Sequence, residues 1–272
     1  MNRTNPIGVF DSGIGGLTVV KRIQQLLPNE NIIYFGDTAR VPYGSKSNAT
    51  VIEYSLQNAN FLLKKNVKMV VTACNTASSA ALSALRDKLE IPVVGMIEPG
   101  ARYAVDKTKN GKIGVIGTYA TINNKAYSKE LKRIDKKLKV YEKACPLFVP
   151  LAEEGMINHP ATKLIAEEYL AELKDKDIDT LILGCTHYPL LTDIISEIMG
   201  DHVHLVDSGT AASVIVEDYL NGRGLRNTSN LMGVSEFFVS DLPDKFKVLA
   251  GKFLGKKVEY LSKIDLEELI NG

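Results

Sequence analysis

The stretch Ile7-Gly8-Val9-Phe10-Asp11-Ser12-Gly13 is answered 106 residues later (113 − 7) by Ile113-Gly114-Val115-Ile116-Gly117-Thr118-Tyr119. Each reads as a short apolar strand that runs into a loop of small residues. A second pair, Val70-Val71-Thr72-Ala73-Cys74-Asn75-Thr76 and Leu181-Ile182-Leu183-Gly184-Cys185-Thr186-His187, is spaced by 111 (185 − 74). A third, Val93-Val94-Gly95-Met96-Ile97-Glu98 and Val203-His204-Leu205-Val206-Asp207, is spaced by 109 (207 − 98) and carries an acid just past each strand. Three offsets that nearly agree imply an internal repeat, and therefore a chain built from two similar halves.

Outward from these pairs, apolar runs rich in Val and Ile alternate with longer amphipathic stretches such as 17–26 and 49–63. That alternation predicts parallel strands joined by crossover helices. The first series of strands is read at 7–10, 32–35, 69–72 and 93–95, and the second at 113–116, 180–183 and 203–206. The expected fold is α/β: two similar open parallel-sheet domains related by pseudo-symmetry, with the active site in the cleft between them. In open α/β sheets ligands bind beyond the carboxyl ends of strands, where all three matched loops fall, so Cys74 and Cys185 are expected on opposite walls of one cleft.

Composition removes several classes of function. With 33 basic against 32 acidic residues the net charge is +1, which gives no global field for a nucleic acid or an anionic membrane. The basic run from Lys132 to Lys139 is the local exception, and its spacing suits the solvated face of a helix. No segment approaches the roughly 18 unbroken apolar residues of a membrane span. The opening MNRTNP leads straight into IGVF without the apolar core of a secretory signal, which predicts a cytoplasmic protein. Three widely spaced cysteines, an odd number, argue for free thiols rather than a disulfide framework. No metal is expected: His202 and His204 alone make a weak signal and are read as decorating a strand.

Cys74 and Cys185 each stand where a buried-type strand gives way to a helix. Unpaired backbone N–H groups and the helix dipole favour a thiolate there. A lone cysteine in this setting is more often a small core residue, but the repeated context shifts the balance toward chemistry. His187, two residues past Cys185, suits either a charge partner for that thiol or a structural bond at the helix entry. Cys145, before Pro146 and outside the matched loops, reads as a bystander.

Asp11-Ser12-Gly13-Ile14-Gly15-Gly16 invites a dinucleotide reading, but the third glycine of G-x-G-x-x-G falls at Thr18. Asp11 reads better as a catalytic or amine-binding acid, with a plain helix cap as the alternative. Asp37 and the turn Val41-Pro42-Tyr43-Gly44 follow another strand, where a substrate contact and an ordinary turn look alike.

Together the segments FDSGIGGLTV, YFGDTARVPYG, VTACNTASS, LFVPLAEEG and LGCTHYPLL resemble the glutamate racemases of the aspartate/glutamate racemase superfamily, in order over nearly the whole chain. The resemblance implies a cofactor-independent isomerase acting on L- and D-glutamate, supplying D-glutamate for peptidoglycan synthesis. It implies that Cys74 and Cys185 are the two acid/base residues, assisted by Asp11 on one side and by Glu153 and His187 on the other. Glu153 and Glu154 are adjacent and are not separated at this stage. It further implies that Asp11, Ser12, Asp37, Tyr43, Gly44, Asn75, Thr76, Thr186 and His187 hold the substrate, a small molecule. Residues 1–97 plus 208–272 are expected to form one domain and 98–207 the other, in a homodimer with no nucleic-acid or membrane partner. The rivals are an aspartate or other amino-acid racemase of the same superfamily, and a non-catalytic small-ligand-binding module.

Overall fold

A computed structural model describes residues 2–271 and contains ten strands among them. In chain order these are β1 (Ile7–Asp11), β2 (Ile32–Gly36), β3 (Met69–Thr72), β4 (Val93–Val94), β5 (Lys112–Gly117), β6 (Lys139–Ala144), β7 (Thr180–Gly184), β8 (His204–Asp207), β9 (Ser235–Val239) and β10 (Tyr260–Lys263). They form two sheets, β10-β9-β2-β1-β3-β4 and β6-β5-β7-β8, in which every pairing is parallel. The order β2-β1-β3-β4 is therefore the order β6-β5-β7-β8 repeated. The pseudo-symmetry read from the matched segments is present in the strand order itself.

β1, β2, β3 and β7 are buried along their whole length, because helices cover both faces of each sheet. This is why those segments read as continuous apolar runs instead of alternating ones. Successive residues still serve different layers: Val9 and Ile7 pack in one cluster and Phe10 in another, as Leu181 and Leu183 part from Ile182 in the second sheet.

Three departures from the sequence reading have physical causes. β6 was not among the expected strands: its residues KVYEKA lie at an edge, paired only to β5, and stay half exposed, so the segment carries the lysines that protect an edge. The basic run is accordingly not one helical face. Lys132 and Arg133 end the Ala126–Ile134 helix, Lys136 and Lys137 lie in the turn after it, and Lys139 opens β6. β9 and β10 come from the tail, which returns to the first sheet and adds two strands beside β2.

That return is fastened by a buried ion pair. Lys68, fully buried just before β3, donates to Glu30 and to the carbonyls of Arg3 at 2.7 Å and Leu225 at 2.9 Å. Glu30 also accepts from the Asn227 amide at 2.7 Å. Four segments distant in sequence therefore share one pair of charges. Burial pulls the Lys68 ammonium below its ordinary value, and Glu30 opposes that pull. Breaking such a pair leaves an uncompensated buried charge, so Lys68→Met is expected to cost about 3–5 kcal/mol. Chemical denaturation that finds the variant as stable as the parent refutes this role.

Candidate active site

One cavity of about 280 Å³ collects the loops that follow six strands. Ser12 comes from the loop after β1, Tyr43 and Gly44 from that after β2, and Cys74, Asn75 and Thr76 from that after β3. From the second sheet come Thr118 and Tyr119 after β5, Pro146, Val149 and Pro150 after β6, and Cys185, Thr186 and His187 after β7. The carboxyl ends of both sheets thus meet over one small space, as the position of strand-order reversal at β1/β3 and β5/β7 requires. The volume suits a small metabolite and leaves no room for a dinucleotide.

Cys74 caps the Asn75–Lys88 helix. Its Sγ accepts from the Ala77 amide at 3.4 Å, and its thiol meets Ser12 Oγ at 3.6 Å. Those contacts favour the thiolate, as expected at a helix start, yet they lose. Burial, then the charge of Asp11, pushes the thiol up to about 12. Asp11 ends β1, 1% exposed, with Oδ2 accepting from the Gly13 amide at 3.0 Å. Burial raises its carboxyl, opposed by the charge of His187 and by the amides of Gly16, Gly13 and Ser12. Asp11 lies behind the cavity wall at the Cys74 side.

The Cys185 side is built differently. His187 Nδ1 lies 3.7 Å from Cys185 Sγ, and its Nε2 lies 3.0 Å from Glu153 Oε1. Burial opposes a charge on His187, but bonding to Cys185 and Glu153 outweighs it and carries the imidazole up to about 10. Of the two adjacent acids, Glu153 is thus the one whose carboxylate meets His187; it ends the Phe148–Glu153 helix. Since a carboxylate only accepts, Nε2 must carry a proton. Nδ1 is then the nitrogen that faces the thiol.

Several residues named from the sequence are brought together, and some are not. Asn75 accepts from Tyr127 OH at 2.7 Å across the halves and donates to Ser208 Oγ at 3.1 Å. Thr76 Oγ1 shares hydrogen bonds with Thr118 at 2.8 Å and Thr121 at 3.3 Å. The backbone oxygen of Thr186 accepts from Thr18 Oγ1 at 3.2 Å. Asp37 does not reach the cavity: fully buried, it accepts from Arg40 at 2.8 Å, from Ser240 at 3.0 Å and from the Tyr43 hydroxyl. It shapes the turn that presents Tyr43 and Gly44, and Tyr43 offers the cavity its ring and backbone because its hydroxyl is engaged with Asp37 and Asn58. Glu98 and Asp207, the third matched pair, also stay outside. Glu98 lies in the Ile97–Lys107 helix beside Arg102 at 2.9 Å, and Asp207 caps the Ser208–Gly222 helix. Cys145 is buried in the core of the second sheet, where desolvation pushes its thiol far up. His204 lies on β8 against Tyr103.

Thr118 and Thr121 were not among the site residues read from the sequence, although the repeat points to the first: Thr118 stands 106 residues after Ser12 (118 − 12). Gly15 also gains a reason that no nucleotide fingerprint supplies. A Cβ there would come within 2.3 Å of Thr186 Oγ1 and 2.5 Å of His187 Cε1, so the loop is seated against the other half of the molecule. Gly44 likewise abuts Thr118, where a Cβ would come within 2.8 Å.

Residues 7–215 match the family model described as Asp/Glu/Hydantoin racemase. The chain is 52% identical to a glutamate racemase of Chlorobaculum tepidum over 93% of this chain and 94% of that one. It is 51% identical to a glutamate racemase of Geobacter metallireducens over 96% and 97%. Among solved structures, a glutamate racemase isoform of Bacillus anthracis superposes with a TM-score of 0.95 at 40% identity, covering 97% of this chain and 99% of that one. The Francisella tularensis glutamate racemase in complex with D-glutamate superposes with a TM-score of 0.91 at 41% identity and the same coverage. The non-catalytic reading loses its ground, and the chain belongs to the Asp/Glu/Hydantoin racemase family of isomerases, in its glutamate racemase branch.

Proposed function

We propose that this chain interconverts L- and D-glutamate by passing the α-proton between Cys74 and Cys185, without a cofactor. The observation that carries the reading is that two cysteines at equivalent places in the repeat line the same cavity. Inverting a carbon centre needs a base on one face and an acid on the other. Cys185 as thiolate takes the proton from L-glutamate and leaves a carbanion-like intermediate, and the Cys74 thiol protonates the opposite face. The pair ends with its charges exchanged, ready for the D-enantiomer. The surroundings suit this starting state, since Cys74 is held protonated while His187 offers its charge to Cys185.

No lysine or arginine is among the described residues that line the cavity, so the substrate's carboxylates fall mainly to hydroxyl and amide donors. Ser12, Asn75, Thr76 and Thr186, beside the two sulfurs, are assigned to the reacting end. Gly44, Thr118 and the Tyr43 backbone are assigned to the side-chain carboxylate, and Asp11 to the ammonium side. Oriented donors in a water-poor cleft lower the cost of the carbanion more than any single proton acceptor does. We also infer that residues 1–97 with 208–272 form one domain and 98–207 the other, that the protein assembles as a homodimer, and that its D-glutamate serves peptidoglycan synthesis. No helix among the described residues is long and apolar enough to cross a membrane.

Replacing Cys74 or Cys185 singly by alanine is expected to lower racemisation in both directions by at least about 10²–10⁴-fold. In heavy water the Cys74 variant should still exchange the α-hydrogen of L-glutamate through Cys185, and the Cys185 variant that of D-glutamate. Proton NMR of the two exchange reactions checks this; equal exchange of the same enantiomer by both variants removes the assignment of faces. Cys145→Ala should racemise as the parent does.

Aspartate places its second carboxylate one methylene closer to the reacting carbon and leaves donors unpaired. Its kcat/KM is expected to be lower than that of glutamate by at least about a hundredfold. Polarimetry with both substrates measures the ratio, and comparable turnover refutes the glutamate assignment.

Rate against pH should be bell-shaped, with apparent values that belong to the coupled groups. His187 has its pKa raised, so its charge is present at lower pH and is lost as pH rises through about 10, where the alkaline decline is expected. His187→Asn removes the cation beside the thiolate, which moves the acid limb to higher pH. A kcat/KM profile with an unmoved acid limb argues against that partnership.

A further inference from the structure

The Pro243–Leu254 helix belongs to the tail, yet its apolar side reaches both loops of the cleft. Phe246 lies 6.0 Å from Tyr34 between ring centroids, and Tyr34 donates to the Gly13 carbonyl at 3.0 Å, inside the loop that carries Asp11 and Ser12. Phe253, two helical turns later and so on the same side, stands edge-to-face with His187, centroids 6.0 Å apart and planes at 85°.

Besides the Gly15 backbone that abuts its Cε1 edge, His187 meets three side chains, and these differ in rigidity. The Cys185 contact is long at 3.7 Å, and the Glu153 side chain is about one-third exposed, at 32%. Neither of these stops the imidazole from tilting about the line that joins its two nitrogen contacts. Phe253 sits on the ring's flank, 4% exposed, and is packed into the same cluster as Leu17, Val20, Leu254 and Val258. Of the three side chains it is the one that the core itself immobilises.

We infer that Phe253 is a positioning residue: from outside the cleft it fixes the plane of the His187 imidazole so that Nδ1 faces Cys185 while Nε2 faces Glu153. The inference rests on the proposed proton transfer through Cys185. It makes the returning tail part of the machinery of the second half. It also predicts an effect centred on one of the two proton transfers, because His187 bonds to Cys185 while Cys74 bonds to Ser12 and the Ala77 amide.

The two enantiomers have equal free energy, so kcat/KM must fall by the same factor in both directions whichever transfer is slowed. Isotope effects separate the transfers. With α-deuterated L-glutamate the labelled bond breaks at Cys185, and with the D-enantiomer it breaks at Cys74. Slowing the Cys185 step alone raises the isotope effect on kcat/KM for L-glutamate and lowers it for D-glutamate.

Phe253→Leu keeps an apolar side chain and removes the ring. It is expected to lose about ten- to a hundredfold in kcat/KM, the usual scale of a misplaced catalytic group, with the isotope effects moving apart as stated. Phe253→Tyr, which keeps the ring, should return both toward the parent. Val258→Ala, a truncation in the same core, should lower the thermal midpoint without separating the isotope effects. If Phe253→Leu does not fold, Phe253→Met carries the same prediction. Isotope effects that move together, or a Val258→Ala variant that separates them equally, overturn the inference. Nitrogen-15 NMR of the imidazole in substrate-free protein tests positioning apart from activity: altered His187 Nδ1 and Nε2 resonances in Phe253→Leu uphold it even if the parent does not racemise glutamate, and unaltered ones overturn it.

Discussion

Two thiols line one cavity, where as thiolates they would repel, so the proposed reaction needs a single charge housed on one side. That constraint organises the rest of the structure. Low dielectric makes the repulsion and the desolvation cost large, so a strictly symmetric site would have no preferred home for the charge. The repeat is broken at two places that resolve this. Asp11 corresponds to Gly117 (117 − 11 = 106), and Thr76 corresponds to His187 (187 − 76 = 111). The first half therefore has an acid whose charge, after burial, pushes the Cys74 thiol up, and the second has an imidazole, itself raised, that bonds to Cys185 and Glu153.

The same repeat explains why the two sulfurs share a cavity. Each half reverses its strand order beside the strand that precedes its cysteine, so each presents its loops at the carboxyl edge of its sheet. The two edges then close on one another at points of unusually near approach. Gly15 lies against Thr186 and His187, Gly44 lies against Thr118, and Asn75 is bonded to Ser208 and Tyr127 across the chain. These contacts set the width of the cleft, and a side chain at either glycine would have to widen it.

Arg40 shows how the chain keeps fixed positive charge out of that space. Its guanidinium binds Asp37 and Asn58 and stacks 4.0 Å from the Tyr54 ring centroid, so the cation stabilises the Pro42–Gly44 turn from behind. A cleft lined by hydroxyls, amides and one imidazole, its charge held by Cys185 and Glu153, can bind a dicarboxylate without a lysine or arginine beside the reacting carbon. Such a cation would favour the ground-state carboxylate as much as the transition state.

Much of the fold was legible because its signals are local. Buried parallel strands must be continuously apolar, and the cysteines, the Asp-Ser-Gly loop and their counterparts recur at nearly constant offsets, so two α/β halves and most of the cleft could be read from residues 7–207. β6, with its lysines, gave no apolar signal because an edge strand is half solvated. Thr118 was legible through its correspondence with Ser12. Asp37 looked like a substrate contact because sequence does not show which way a carboxylate points, and tertiary packing turned it onto Arg40 and Tyr43. The choice of Glu153 over Glu154 opposite His187, and the arrival of Phe253 on that ring from the tail, depend on where helices sit once the core has packed. Pattern in a sequence records what each segment must bury; which distant segments then touch is decided only by the folded geometry.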